Sequence, residues 1–312
     1  MKRREFAITT ITAAIGGAML SHPVFGVAAA PPASNEIPLS VMLWTILPKA
    51  AFDERVEKVK EAGYHKVELV REYDGWDKQR FAEARKKLRS LDLTVDACSG
   101  ISTSLCDPSQ REAFLKEVEA KLPVLDELET KRLILLSGNV VPNLSHEQMH
   151  ESCVEGLKRA ADIVSRKNVI LLFENIDPQE NPKYFLTSSR EGLEMVRAMK
   201  NPNVRFLYDL YHEQIAEGNL IDKLVKFKDE IATVHIADVP GRHIPGTGEI
   251  NYANVYRKLG EIGYSDVVAM EFLPTGDPVQ ELTTARTFFN EQVAAGRGRT
   301  SSNSNARAHA TA

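Results

Sequence analysis

From Leu39 to Ala294 the chain alternates between two hydrophobic patterns. Short runs dominated by apolar and β-branched residues predict strands, and each is followed by a longer stretch with apolar residues at helical spacing. "LSVMLWTI" reads as the first strand. In "AAFDERVEKVKEAGY", Phe52, Val56, Val59 and Ala62 line one helical face, and Gly63 closes that helix as a C-terminal cap. "KVELV" is the second strand, with a charged amphipathic helix from Trp76 to Ser90 behind it. "TVDACSGI" is the third, and its helix opens with Asp107 as N-cap and Pro108 at the first helical position. "RLILLSG" is the fourth, followed by a capping box at Ser145 and Gln148. "VILLFENI" is the fifth, with a second capping box at Ser188 and Glu191. "VRFLYDLYH", "IATVHIAD" and "VVAMEFLP" complete the strands, and "DPVQELTTARTFFNEQVAA" is the closing helix.

Apolar strands alternating with amphipathic helices require a parallel sheet covered by helices. Eight such units predict an α/β fold of the (β/α)8 TIM-barrel type. An open doubly wound sheet is the alternative, but no GxGxxG follows the first strand.

The ends of the chain read differently. Residues 1–30 place Arg3 and Arg4 before a weakly apolar stretch and end in small residues, the pattern of a twin-arginine export signal. The expectation is therefore an exported, periplasmic protein. Gly16, Gly17, His22 and Pro23 interrupt the apolar run, which argues against stable membrane insertion. Residues 31–38 form a linker, 39–294 the barrel, and 295–312, without a large apolar residue, a disordered tail. The 312 residues are 43% hydrophobic and carry a net charge of −4, so nothing invites nucleic acid. Cys98, Cys106 and Cys153 form no CxxC, and the odd number points to free thiols.

Chemistry in such barrels sits where strands run into the following loops. Strands five to eight end in Glu174, Asp209, His235 and Glu271, each an ionisable residue set in an apolar strand. Three converging buried carboxylates are untenable without compensation, and a divalent cation supplies it. Three carboxylates and one imidazole suit Mn²⁺ or Mg²⁺, with Co²⁺ a further candidate and Zn²⁺ less apt.

"FEN", "YDLYH", "VHIADVPGR", "PGTGEI" and "MEF", in that order, resemble the sugar isomerase/epimerase family of xylose isomerase-like barrels. "YDLYHEQIAEGNLIDKL" followed by "VPGR" and "GEINY" is most similar to its hydroxypyruvate isomerase branch. The resemblance implies that Glu174, Asp209, His235 and Glu271 are metal ligands and that Glu174 and Glu271 are also the acid–base pair. It departs at position 235, where hydroxypyruvate isomerases often carry Gln and ketose epimerases carry His.

The implied reaction acts on an α-hydroxy carbonyl compound, a sugar or hydroxy-keto acid, through an enediolate; hydroxypyruvate to tartronate semialdehyde is the leading case. The loop after strand seven should fold over the substrate, with Arg242 meeting a carboxylate or hydroxyls through its planar fork. His212 is a candidate to bond a substrate oxygen, Trp44 to form an apolar wall, and Glu68 to touch substrate. The alternatives are a ketose 3-epimerase, a keto-inositol dehydratase, a non-catalytic sugar-binding protein and a zinc nuclease of the endonuclease IV kind. The last would need more strand-end histidines and a basic face. The family resemblance also leaves room for a homo-oligomer.

Overall fold

The computed structural model describes residues 36–310. Residues 1–30, read above as an export signal, residues 31–35 of the expected linker and the last two residues lie outside the described part. Eight parallel strands close into a barrel in sequence order: β1 Leu39–Met42, β2 Lys66–Leu69, β3 Thr94–Cys98, β4 Arg132–Leu136, β5 Ile170–Glu174, β6 Val204–Asp209, β7 Ile231–Ile236 and β8 Val267–Met270. Helices α1 Phe52–Glu61, α2 Lys78–Ser90, α3 Arg111–Leu128, α4 His146–Ser165 and α5 Ser189–Met199 follow the first five strands in turn. Two short helices, α6 Leu210–Ala216 and α7 Leu220–Lys226, join β6 to β7; α8 Tyr252–Glu261 and α9 Pro278–Ala310 follow β7 and β8.

The inner face of the barrel is layered. Met42, Ala97, Ile134, Leu172, Leu207 and Ala232 form an apolar plug across its middle. Nearer the N-terminal strand ends, Asp96 lies 3.3 Å from both Lys66 Nζ and Arg132 Nη1, so the floor is held by ions rather than by packing alone. The three cysteines are free and buried.

Several local expectations hold. Ser145 and Gln148 form the capping box in full, and the Asp107 side chain accepts from the Ser109 N–H ahead of α3. Others are corrected. The first strand stops at Met42 and turns into a 3-10 helix over Leu43–Thr45, which swings Trp44 toward the barrel mouth. Ser188 caps α5, but the Glu191 side chain binds His150 at 2.7 Å instead of closing a second capping box. Strand six ends at Asp209, whose Oδ1 accepts from the Tyr211 N–H and starts α6. The tail expected from residue 295 is helical as far as Ala310. The reason lies at the crossing with α8: a Cβ on Gly296 would meet the Arg257 carbonyl oxygen at 2.0 Å, and one on Gly260 would meet that of Val293 at 2.3 Å. Small residues let the two backbones touch at that crossing, beside the last large apolar residue, Val293.

Gly260→Ala tests this crossing. Alanine gains about 1 kcal/mol in helix propensity, but its methyl must displace backbone, and overpacking costs about 1–3 kcal/mol. The variant should melt lower than the parent protein by calorimetry; an equal or higher midpoint would show that the crossing is loose.

Candidate active site

Strand register brings the four ionisable strand-end residues to one level. Glu174 pairs with Leu207, so Asp209 stands two residues further along β6. Asp209 pairs with His235, and His235 with Ala269, two residues before Glu271. One ligand atom from each of Glu174, Asp209, His235 and Glu271 lies within 4.8 Å of the others. All four side chains are buried.

His235 is the hub of this cluster. Its Nδ1 lies 2.7 Å from Glu271 Oε2 and 4.0 Å from Glu174 Oε1, and its Nε2 lies 2.9 Å from Glu68 Oε2. Burial pushes the imidazole pKa down, but the charges of Glu271 and Glu68 outweigh it and hold it well above the ordinary value. Glu68, a candidate substrate contact, is not among the residues lining the cavity at the barrel mouth. It is fully buried behind His235, because the inward positions of β2 face the barrel interior two residues below the mouth.

The two mouth glutamates have opposite environments. Burial pushes Glu174 up to about 8, with the Glu271 and Asp209 charges adding to the effect against that of His235. Among the described residues nothing donates a hydrogen bond to its carboxylate. Burial also works to raise Glu271, but Arg242 and His235 prevail and hold it well below the carboxylate range. Trp44 contributes here too: its Nε1–H donates to Glu271 Oε1 at 2.9 Å, so it is a polar anchor as well as the expected wall.

Arg242 arrives from the loop after β7. Its Nη2 lies 2.8 Å from Glu271 Oε2 and 2.9 Å from Asp209 Oδ2, its Nη1 donates to Glu180 at 3.1 Å, and its Nε donates to the Glu271 carbonyl. The guanidinium lies 4.8 Å from the Tyr211 ring centroid. Asp238 shapes this loop. Its Oδ1 accepts from the N–H groups of Val239 and Ile250, and its Oδ2 from those of Gly246 and Gly248. A Cβ on Gly248 would come within 2.6 Å of that carboxylate, so glycine is required there. One buried acid thus gathers thirteen residues of loop into a tight fold that delivers Arg242.

His212 sits in the first turn of α6 rather than in a loop. Its Nδ1 lies 2.6 Å from Asp177 Oδ2, and Asp177 is itself fixed by the N–H groups of Gln179 and Glu180. Its Nε2 is 3.4 Å from Asp209. Although burial opposes it, the Asp209 charge and the Asp177 hydrogen bond raise the imidazole to about 9.

Glu174, Glu271, His212, Arg242 and Trp44 share the wall of a cavity of about 190 Å³. Asp177, Asp238 and Glu180 were not identified from sequence. "HIADVPGR" held one usable sign, an acid two residues past a strand and followed by a run of loop glycines; "ENIDPQE" held none that separates Asp177 from an ordinary loop acid. Among the described residues no helix is long and apolar enough to cross a membrane.

A family model described as xylose isomerase-like TIM barrel matches residues 56–291. Hydroxypyruvate isomerase of Escherichia coli (strain K12) is 31% identical over 72% of this chain and 88% of its own. The 2-oxo-tetronate isomerase of Haemophilus influenzae is 28% identical over 74% of this chain and 91% of its own. Among solved structures, an AP endonuclease, family 2, from Brucella melitensis superposes with a TM-score of 0.72 at 27% identity, over 79% of this chain and 97% of that one. The length of the family match and the identity to the bacterial isomerase agree with the closed eight-stranded barrel, and the chain belongs to the xylose isomerase-like TIM barrel family.

Proposed function

We propose that this protein is a divalent-metal-dependent isomerase of α-hydroxy carbonyl compounds, hydroxypyruvate isomerase-like, working through an enediolate. The observation that carries the reading is the wall of the small cavity, where Glu174, Glu180 and Glu271 stand beside the cationic side chains of His212 and Arg242. Its volume of about 190 Å³ is below the ~300–1,000 Å³ usual for drug-sized ligands, which suits a reacting unit of few atoms. The names of the two bacterial isomerases support the same reaction class.

The donor set fits a cation. Glu174, Asp209, His235 and Glu271 supply three carboxylates and an imidazole with ligand atoms within 4.8 Å of one another. Glu174 is buried with no hydrogen-bond donor, an arrangement that is costly for an ion left alone. This oxygen-rich set favours Mn²⁺ or Mg²⁺ over Zn²⁺. When bound, such a cation supplies Lewis-acid polarisation of the substrate carbonyl and offsets the carboxylate charge.

The chain's own residues do the rest. One of Glu174 and Glu271 takes the proton from the hydroxyl-bearing carbon next to the carbonyl, leaving the enediolate. The other delivers a proton to the former carbonyl carbon, and a proton passes from the hydroxyl oxygen to the former carbonyl oxygen. Hydroxypyruvate becomes tartronate semialdehyde with no net change in atoms or electrons. Arg242 and His212, both cationic near neutral pH, orient the carboxylate and hold the developing oxyanion charge. Return of the proton to the opposite face of the same carbon would instead give epimerisation, the reading that His235 in place of Gln favours. The Arg3–Arg4 leader, read from sequence alone, adds to the proposal that this enzyme acts outside the cytoplasm.

Deuterium uptake tests the reaction. Hydroxypyruvate incubated with Mn²⁺-loaded protein in deuterated buffer should gain deuterium at the carbon next to its carbonyl by NMR, and chelator should stop it. Glu174→Gln and Glu271→Gln should each lower turnover about 10²–10⁴-fold with the fold retained, and Glu271→Gln should melt lower because Arg242 and His235 lose their shared carboxylate. Near-normal activity in either variant would refute the two-glutamate mechanism.

Metal binding has its own pH signature. Glu174, raised to about 8, and His235, held well above its usual value, must both lose protons to become ligands. Protonation competes with the metal below those values, so affinity rises as pH rises. Between pH 6 and 8 the Mn²⁺ dissociation constant should fall roughly tenfold per pH unit for each proton released. Calorimetric titration in two buffers of different ionisation heat counts those protons; a flat affinity would remove both residues from the ligand set.

A further inference from the structure

A second cavity of about 490 Å³ opens beside the first on the same face of the barrel. Leu136, at the end of β4, lines both. Adjacent residues continue the connection, with Glu180 on the inner cavity and Asn181 on the outer groove. Nothing in the reaction proposed above uses this space.

Its walls are held in place without a ligand. On one side Glu117 accepts from the backbone N–H and the hydroxyl of both Ser102 and Thr103. Ser104 N–H donates to Gln110, whose amide donates in turn to Asp107. On the other side the loops after β4 and β5 are laced together. Val140 N–H donates to the Lys183 carbonyl at 2.7 Å, Phe185 N–H to that of Gly138 at 2.9 Å, and Asn181 Nδ2 to Asn139 Oδ1 at 2.9 Å. Gly138 is required where the walls meet, since it has a φ of +87° and a Cβ there would lie 2.1 Å from Ser104 Oγ.

The chemistry of the lining is specific. Ser102 and Thr103 spend their hydroxyl protons on Glu117, which leaves their oxygens free to accept. Asn139 receives a bond on its Oδ1 and keeps its amide donors. No lysine or arginine lines the groove, and its one acid, Asp107, is already engaged by Ser109 and Gln110. Val140, at the rim, is 50% exposed, one of three large hydrophobic residues so placed among the described residues. Neutral donors and acceptors beside an exposed aliphatic side chain match a sugar ring, with its hydroxyl edge and C–H face. A phosphate or carboxylate would find no cation here.

We propose that this groove is a subsite for a neutral polyhydroxylated substituent, a glycosyl group, carried by a substrate whose α-hydroxy carbonyl unit enters the inner cavity. The proposal rests on the isomerase reading for what happens in that inner cavity. The small cavity takes the reacting atoms, and the groove selects what is attached to them.

Two groove-filling variants, Asn139→Trp and Val140→Trp, test it in the full-length Mn²⁺-loaded protein. Lactulose carries the same hydroxymethyl ketone unit as hydroxypyruvate with a galactosyl group attached, so both can be followed by deuterium uptake. The unmodified protein should exchange both. Each variant should raise the KM for lactulose at least tenfold and leave hydroxypyruvate within twofold, which also shows that the fold is intact. Unchanged lactulose kinetics in both variants, or an equal loss on both substrates, would overturn the proposal. So would fructose 6-phosphate being preferred to lactulose, because the groove would then serve a charged tail. If neither substrate exchanges, the isomerase reading fails, and saturation-transfer NMR on lactulose judges the groove by itself. Contact through the galactosyl protons that Val140→Trp abolishes would support it; contact that persists, or none at all, would refute it.

Discussion

The rest of the structure is organised around uncompensated negative charge at the barrel mouth. Six acids, Glu68, Glu174, Asp177, Asp209, Asp238 and Glu271, are buried at the mouth or just beneath it, beside three basic side chains, His212, His235 and Arg242. With every group ionised, negative charge remains in excess. Burial and the neighbouring carboxylates push Glu174, which has no hydrogen-bond donor and only His235 at 4.0 Å, up to about 8, while Glu271, in contact with Arg242 and His235, is held low. Removing one cation from such a cluster leaves a buried charge unpaired, which costs about 3–5 kcal/mol. Loop structure serves that balance: Asp238 spends its carboxylate on four backbone N–H groups so that Arg242 reaches Asp209 and Glu271.

Histidine placement follows the same logic at two positions. His235 faces a carboxylate at each ring nitrogen, and Glu68 behind it fixes the ring orientation that turns Nδ1 toward Glu174 and Glu271. A carboxylate on the remote nitrogen of a ligand histidine both orients the ring and raises its basicity. His212 is clamped in the same way by Asp177, leaving Nε2 on the side of Asp209 and Arg242. In both pairs a fully buried acid out of reach of substrate determines what the imidazole presents.

How much of this was legible in the sequence depends on whether a residue breaks a local pattern. The barrel was legible because eight apolar runs cannot be covered except by the helices between them. Glu174, Asp209, His235 and Glu271 stood out because each interrupts an apolar strand at its end. Glu68 interrupts a strand equally, and its misplacement shows the limit of the signal: strand position gives depth only once the register with neighbouring strands is known. Asp177 and Asp238 lie in loops already rich in polar residues, where nothing separates a structural acid from a solvated one. The helical continuation beyond residue 294 depends on Gly260 and Gly296 meeting a neighbouring backbone, a contact that hydrophobic periodicity does not record.

The division between strands and loops also bears on how such a barrel changes its substrate. The four strand-end side chains Glu174, Asp209, His235 and Glu271 are fixed by register, and moving any of them means moving a strand whose other face is packed under helices. The groove at Asn139 and Val140 is built from three loops tied to one another by backbone hydrogen bonds and by one Asn–Asn pair, so its lining can change while the barrel stays as it is. On the proposed reading, the chemistry therefore belongs to the strands, and discrimination among substrates to the loops. The 190 Å³ cavity holds too little to tell one such compound from another by anything but its reacting atoms. On the proposed reading, selectivity is exercised outside it, in the preformed, uncharged groove that shares Leu136 with it.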